Sequence, residues 1–262
     1  MRVTRKDITV PEKAVDAHKG DHGRLLIVGG SEEFAGAPIL AGLAAFRSGV
    51  DLVEVAAPRK VSWAANAKEP SLITHKLKCM SFSKAQVKRV LELSLNADAV
   101  LVGNGLGRTR KRLGFVRELL NKLDKPVVVD ADALYAADLR TMKSRNVVFT
   151  PHEGEFAALC EASNVDAESL QSSLDEGRVV LLKRPVDHIL TNQETWQNAT
   201  GTPRMAVAGT GDVLAGFCAG LLAQGLTPEQ ASVTAAYLVG KAGEEASREV
   251  GNFTAEEMTD YL

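Results

Sequence analysis

"LLIVGGSEEFAGAPILAGLAAFRSGVDLVEVAAP", residues 25–58, decides the fold. An apolar run at 25–28 meets a glycine pair, Gly29-Gly30. A helical pattern follows over 37–49, with Pro38 near its start and Gly49 past its end. This is the usual placing of the two residues, since proline lacks the N–H that a first turn leaves unpaired and glycine tolerates the turn-out. A second apolar run fills 52–58. Runs with no polar alternation suit strands buried on both faces, as in a parallel sheet. Strand, helix, strand in this order predicts a parallel crossover unit.

The pattern continues outward. Apolar runs recur as "AVLVGNG" 99–105, "PVVVDADAL" 126–134, "NVVFTP" 146–151 and "VVLLKR" 179–184. Between them, 83–96 and 109–123 carry apolar residues three and four apart with basic residues on the other face. The alternation predicts an α/β protein with an open, mostly parallel central sheet, flanked by helices on both faces through right-handed crossovers. "HILTNQETWQNAT" 188–200 departs from it and predicts an antiparallel hairpin turning near Asn192-Gln193. Helices are expected over 212–224 and 227–250. No repeat, low-complexity stretch or linker interrupts the chain, so one domain over 1–262 is expected.

Of the 262 residues, 45% are hydrophobic and 24% charged, enough apolar surface for a sizeable core. A formal net charge of −2 gives no basic excess for nucleic acid or an anionic membrane. The longest apolar run, 213–223, is well short of a bilayer span and reads as a buried helix. Cys79, Cys160 and Cys218 are odd in number and widely spaced. They form neither a disulfide framework nor a zinc site, and with no signal-peptide pattern after Met1 they point to the cytoplasm.

In open α/β sheets ligands sit beyond the carboxyl ends of the strands. Glycine or a polar group stands at nearly every exit: Gly29-Gly30-Ser31, the glycines of 103–107, Asp130 and Asp132, "TPHEGEF" 150–156, and Lys183-Arg184-Pro185. The sharpest signal is "GTGD", 209–212, opening the apolar helix. Its glycines let backbone N–H groups approach a phosphate, helped by the helix dipole. Asp212 then reads in two ways. It is a helix-capping aspartate, or a carboxylate placed beside a phosphate to take a proton from the hydroxyl that attacks it. The GxGxxG spacing of a dinucleotide fold fails at Leu214, and no Walker loop is present. In "TPHEGEF", the glutamates either favour a helix N-terminus or supply a carboxylate, Glu155, to magnesium carried on phosphate oxygens. His152 is placed to hydrogen-bond a substrate, and Lys183 to contact phosphate or simply to end a strand. His18, His22, His75 and His188 show no ligand spacing, and Ser31 lacks triad partners.

Together, "HKGDHGRLLIVGGS" 18–31, 34–58, "GNGLGR" 103–108, "VVVDADAL" 127–134, "TPHEGEF", "VVLLK" 179–183 and "NATGTPRMAVAGTGDVLAG" 198–216 resemble the nucleotide-dependent NAD(P)H-hydrate dehydratases, a branch of the ribokinase-like fold. The resemblance implies ADP, or ATP, as co-substrate with Mg2+, and the hydrated form of NADH or NADPH as substrate. It implies Asp212 as catalytic acid/base. Ala37, Gly103 and His152 would join Asp212 in the substrate pocket, and Glu155 would lie near the metal. Nucleotide contacts would come from Lys183, Arg184, Asp187, Asn198, Thr200, Gly209, Thr210 and Gly211. Family analogy also implies a homo-oligomer, a tetramer or larger, and a separate epimerase working alongside, since the segment before residue 18 is too short to hold that domain. Arg184-Pro185 departs from the glycine that often follows the lysine. Arg204 and Val207-Ala208 also stand where the family tends to have glycine-containing sequence. A vitamin-alcohol kinase of the same fold and a non-catalytic nucleotide sensor are the alternatives.

Overall fold

The computed structural model of the chain describes residues 1–13 and 16–262. The opening stretch forms β1 (Arg24–Val28), α1 (Ala37–Arg47) and β2 (Leu52–Pro58). Then come α2 (Arg59–Lys68), β3 (Ile73–Leu77), α3 (Val87–Ser94), β4 (Ala99–Val102), α4 (Arg110–Leu120), β5 (Val127–Val129), β6 (Val147–Phe149), α5 (Glu153–Ser163) and β7 (Arg178–Leu182). A hairpin of β8 (Asp187–Leu190) and β9 (Thr195–Asn198) follows, then α6 (Thr210–Ala223), α7 (Pro228–Glu249) and α8 (Ala255–Met258).

Among the described residues, nine strands form one sheet in the order β3-β2-β1-β4-β5-β6-β7-β8-β9. Pairing is parallel from β3 to β7, and β8 and β9 add antiparallel. The order reverses between β1 and β4, whose connections leave in opposite directions; in open sheets ligands sit outside the carboxyl ends of the strands near such a switch point. Both faces are covered. Leu25 and Ile27 of β1 pack with α1, α6 and α7, while Leu26 and Val28 pack toward α3, α4 and α5. Such double burial explains the unbroken apolar runs.

The helix α6 is buried from Val213 to Ala223 and leans on α1 at very short range. A Cβ on Gly216 would lie 2.1 Å from the Ala41 carbonyl oxygen, and one on Gly220 2.1 Å from Ser48 Oγ. Glycine at both positions is what lets the two backbones meet.

The strand β5 ends at Val129, so Asp130 stands at its exit as expected, and the chain then turns into a 3-10 segment, Ala131–Ala136. The edge strand β3, "ITHKL", and α2 carry no apolar run and were not anticipated. The first residues cover the opposite edge: Val3 N–H donates to the Gln197 carbonyl at 2.9 Å, and Gln197 N–H to the Met1 carbonyl at 2.7 Å. Cys79, Cys160 and Cys218 are unpaired. Among the described residues no helix is long and apolar enough to cross a membrane.

Candidate active site

The exits of β4 to β7 and the start of α6 converge on one edge of the sheet. After β4, Gly103 takes φ +135°, and a Cβ there would lie 1.7 Å from the Asp130 carbonyl oxygen. The exits of β4 and β5 are therefore in backbone contact. Next to it, Asn104 is fully buried. Its Nδ2 donates to Asp212 Oδ1 at 2.7 Å and to Asp130 Oδ2 at 3.0 Å. Its backbone carbonyl accepts from Gly30 N–H at 2.7 Å, which ties the β4 exit to the β1 exit.

Asp130 is 1% exposed and accepts on Oδ1 from the Thr150 hydroxyl at 2.7 Å and from Lys183 Nζ at 3.2 Å. Lys183 also lies 3.6 Å from Glu155 Oε2. Burial works against its charge, but Asp130 and Glu155 outweigh it and hold the ammonium above its ordinary value. The His152 ring caps α5. Its Nδ1 accepts from Gly154 N–H at 3.0 Å, so the ring proton resides on Nε2 when the ring is neutral. Glu155 closes the capping box by accepting from His152 N–H at 2.9 Å.

The Asp212 carboxylate lies in the first turn of α6, whose N-cap is Gly209 at φ +99°. Among the described residues its hydrogen-bond partner is Asn104 rather than a helix N–H. Burial, then the neighbouring charge of Asp130, push its pKa up to about 7, against the opposing pull of Asn104 and Lys183. A carboxylate poised near neutrality can both take and return a proton at working pH.

Beside it a cleft of about 420 Å³ is lined by Lys183, Arg184, Asp187, Thr200, Thr210 and Gly211, with Leu214, Ala236 and Val239 as an apolar wall. That size and mixture suit a small organic ligand with an anionic end. Six of the eight residues proposed from sequence for the nucleotide thus meet in one place. Asn198 stands behind the cleft: it is fully buried, with Nδ2 on Asp187 and the Ala236 carbonyl, each at 3.1 Å. Gly209 is likewise turned away, since a Cβ on it would lie 2.5 Å from Leu40 Cδ1. Arg184 lines the cleft mouth but gives its Nε to Glu153. Ala37, at the start of α1, approaches Gly105 of the β4 exit loop: a Cβ on Gly105 would be 3.1 Å from Ala37 Cβ. A wider groove of about 950 Å³ by Lys84, Arg108 and Arg117 holds none of the residues proposed from sequence.

Among the described residues no three His, Cys, Asp or Glu side chains are gathered to hold a metal. The carboxylate at Glu155 already accepts from His152 N–H and faces Lys183. This donor set suits an ion that arrives on phosphate oxygens and takes one protein carboxylate, not an ion caged by protein. Sequence reasoning passed over Asn104 and Thr150, which carry no signal of their own within a glycine loop and a strand end.

The fold and this edge define a ribokinase-like α/β protein. A ribokinase-like superfamily protein from Enterococcus faecalis aligns with a TM-score of 0.85 at 25% identity, covering all of this chain and 93% of that one. The chain belongs to the NAD(P)H-hydrate dehydratase family, which it matches over residues 25–262. It is 36% identical to the ADP-dependent (S)-NAD(P)H-hydrate dehydratase of Cenarchaeum symbiosum, over 97% of this chain and 91% of that protein. It is 38% identical to the bifunctional NAD(P)H-hydrate repair enzyme Nnr of Methanothermobacter thermautotrophicus, over 97% of this chain and 52% of that protein. The chain thus spans about half the length of the bifunctional relatives. The ADP/ATP-dependent NAD(P)H-hydrate dehydratase of Bacillus subtilis, co-crystallised with ATP/Mg2+, aligns with a TM-score of 0.80 at 29% identity, covering 97% of this chain and 92% of that one.

Proposed function

We propose that this chain dehydrates the S form of hydrated NADH or NADPH at the expense of a nucleotide, ADP for preference, and so restores the reduced cofactor. The observation that carries this is the Asp212 carboxylate, held by Asn104 at the N-terminus of α6, with Lys183 and the cleft beside it. The nucleotide lies in the cleft with its terminal phosphate at the α6 N-terminus, where unpaired N–H groups and the helix dipole favour negative charge. Gly211 leaves that approach open, since a Cβ there would come 3.4 Å from Lys183 Nζ.

The ring hydroxyl of the substrate enters between Asp212 and the β4 exit, against Ala37, Gly103 and His152. Asp212 takes the hydroxyl proton as its oxygen bonds to the terminal phosphorus, and the bond from that phosphorus to the AMP oxygen breaks. Lys183 stabilises the charge gathering on the phosphoryl oxygens. Inorganic phosphate then leaves carbon 6 with the electrons of the C–O bond, pushed by the ring nitrogen. A ring proton is lost to water, giving the reduced cofactor, AMP and phosphate. Magnesium carried on the nucleotide, with Glu155 as its protein carboxylate, would supply further charge neutralisation. Residues 1–262 act as one cytoplasmic dehydratase unit that assembles with copies of itself and works alongside an epimerase activity.

The test is incubation of purified protein with hydrated NADH, with ADP and ATP supplied separately. Recovery of reduced-nicotinamide absorbance with matching release of AMP and phosphate is the expected outcome with ADP. No recovery with either nucleotide, together with phosphorylation of a vitamin alcohol, would replace this reading with that of a kinase of the same fold.

A further inference from the structure

Two carboxylates in one site repel, and Asp130 and Asp212 reach theirs from different parts of the chain. A single amide lies between them. Both contacts of Asn104 are to carboxylate oxygens, at 2.7 and 3.0 Å, so only its nitrogen can face them, one hydrogen to each. Its Oδ1 is left buried with no hydrogen-bond partner among the described residues. An amide that spends both hydrogens this way and leaves its oxygen unmatched is a poor choice for simple packing.

The other end of the bridge is rigid. Thr150 and Lys183 fix Asp130 Oδ1. The Asn104 backbone is fixed as well, by the Gly30 N–H and by the contact of Gly103 with the Asp130 carbonyl. We propose that Asn104 is a positioning residue that ties the Asp212 carboxylate to the anchored carboxylate of Asp130, holding one oxygen of Asp212 and leaving the other for the substrate hydroxyl. This rests on the reading of Asp212 as the base.

The groups facing Asp212 are Asn104 from the β4 exit, Asp130 from the β5 exit, Glu155 from α5 and Lys183 from the β7 exit, together with the N–H groups of its own helix. Asn104 favours the charged carboxylate and Asp130 disfavours it. Deleting the two must therefore move the protonation midpoint of Asp212 in opposite directions. A mere strut would lower stability in both variants without that divergence.

The test uses the full chain as wild type, Asn104→Ala and Asp130→Asn. The Asp212 carboxyl is titrated by carbon-13 NMR without substrate, and kcat/KM for hydrated NADH is followed against pH at saturating ADP. Asn104→Ala is expected to raise both midpoints by about one pH unit, a tenfold loss of rate on the acid side, with KM for ADP within a few-fold. Asp130→Asn is expected to lower both. If Asn104→Ala does not fold, Asn104→Ser replaces it, because a hydroxyl is too short to reach both carboxylates. Midpoints that stay put or move together overturn the proposal. A wild type inactive with either nucleotide overturns the functional reading instead, and the NMR midpoints then still decide whether Asn104 joins the two carboxylates.

Discussion

Burial raises the proton affinity of Asp212, Asp130 adds to it, and Asn104 and Lys183 pull the other way, leaving a balance at about 7. In its proposed role as base, Asp212 works only when ionised, so kcat/KM is expected to fall about tenfold per pH unit below that value. Asp212→Asn keeps the shape but cannot take the proton. It is expected to lower kcat by about 10²–10⁴ while ADP binding stays within a few-fold, measured by turnover and calorimetry on one preparation. The same substitution has a stability signature. The folded state binds a proton to Asp212 more tightly than the unfolded state, whose value is near 3.8, so this group's contribution declines as pH rises from there through about 7. Above that, the ionised carboxylate is a net cost. Asp212→Asn is therefore expected to melt at a higher temperature than wild type near pH 8, with the gain gone near pH 4, by thermal unfolding at both. An equal melting temperature at pH 8 would count against the buried charge. Asp212 and Lys183 were legible in the sequence because a glycine-rich turn before a helix and a lysine after an apolar strand mark exits where ligands sit. Asn104 was not, since nothing in "GNGLG" tells an inward amide from an ordinary turn residue. Asn198 entered through the family resemblance, and no sequence shows that its amide turns onto Asp187 and the Ala236 carbonyl.

Among the elements, α1 and α6 set the frame that aims Asp212. With a Cβ on Gly216 only 2.1 Å from the Ala41 carbonyl oxygen, even alanine must push the helices apart. Gly216→Ala is expected to cost about 1–3 kcal/mol by chemical denaturation, the usual range for overpacking a filled core. Turnover should drop with it, because α6 carries Asp212 four residues upstream; unchanged stability and turnover would show that the helices give way freely. The elements that were legible are those whose environment writes a pattern. The strands β1, β2 and β4 to β7 are buried on both faces and spell continuous apolar runs, and α1, α6 and α7 spell caps and periodicity. At the edge, β3 has exposed and half-exposed positions and so mixes polar residues into "ITHKL". The end of β5 was legible too, because Asp130 interrupts the valines, whereas nothing in "DADAL" shows that Ala131 adopts φ +49° just beyond it.

Across the whole molecule, the site is assembled from segments far apart in sequence: Gly30, Asn104, Asp130, Lys183 and Asp212 meet only when the sheet is complete. Its outer edge is completed by the first residues, which pair with β9 through Val3, Gln197 and Met1. An open edge strand invites pairing with other chains. A chain starting at residue 4 is therefore expected to form particles larger than the parent assembly as concentration rises, read by light scattering; identical profiles would show that β9 needs no cover.

That same pairing sets a timetable. Met1 finds its partner, Thr195, 194 residues later. At a synthesis rate of about 5–20 residues per second, the first strand-forming residues wait roughly 10–40 s for the segment they pair with. Throughout that interval residues 1–3 are open to chaperones or neighbouring nascent chains. The closing of the sheet edge is thus among the late events of the protein's making.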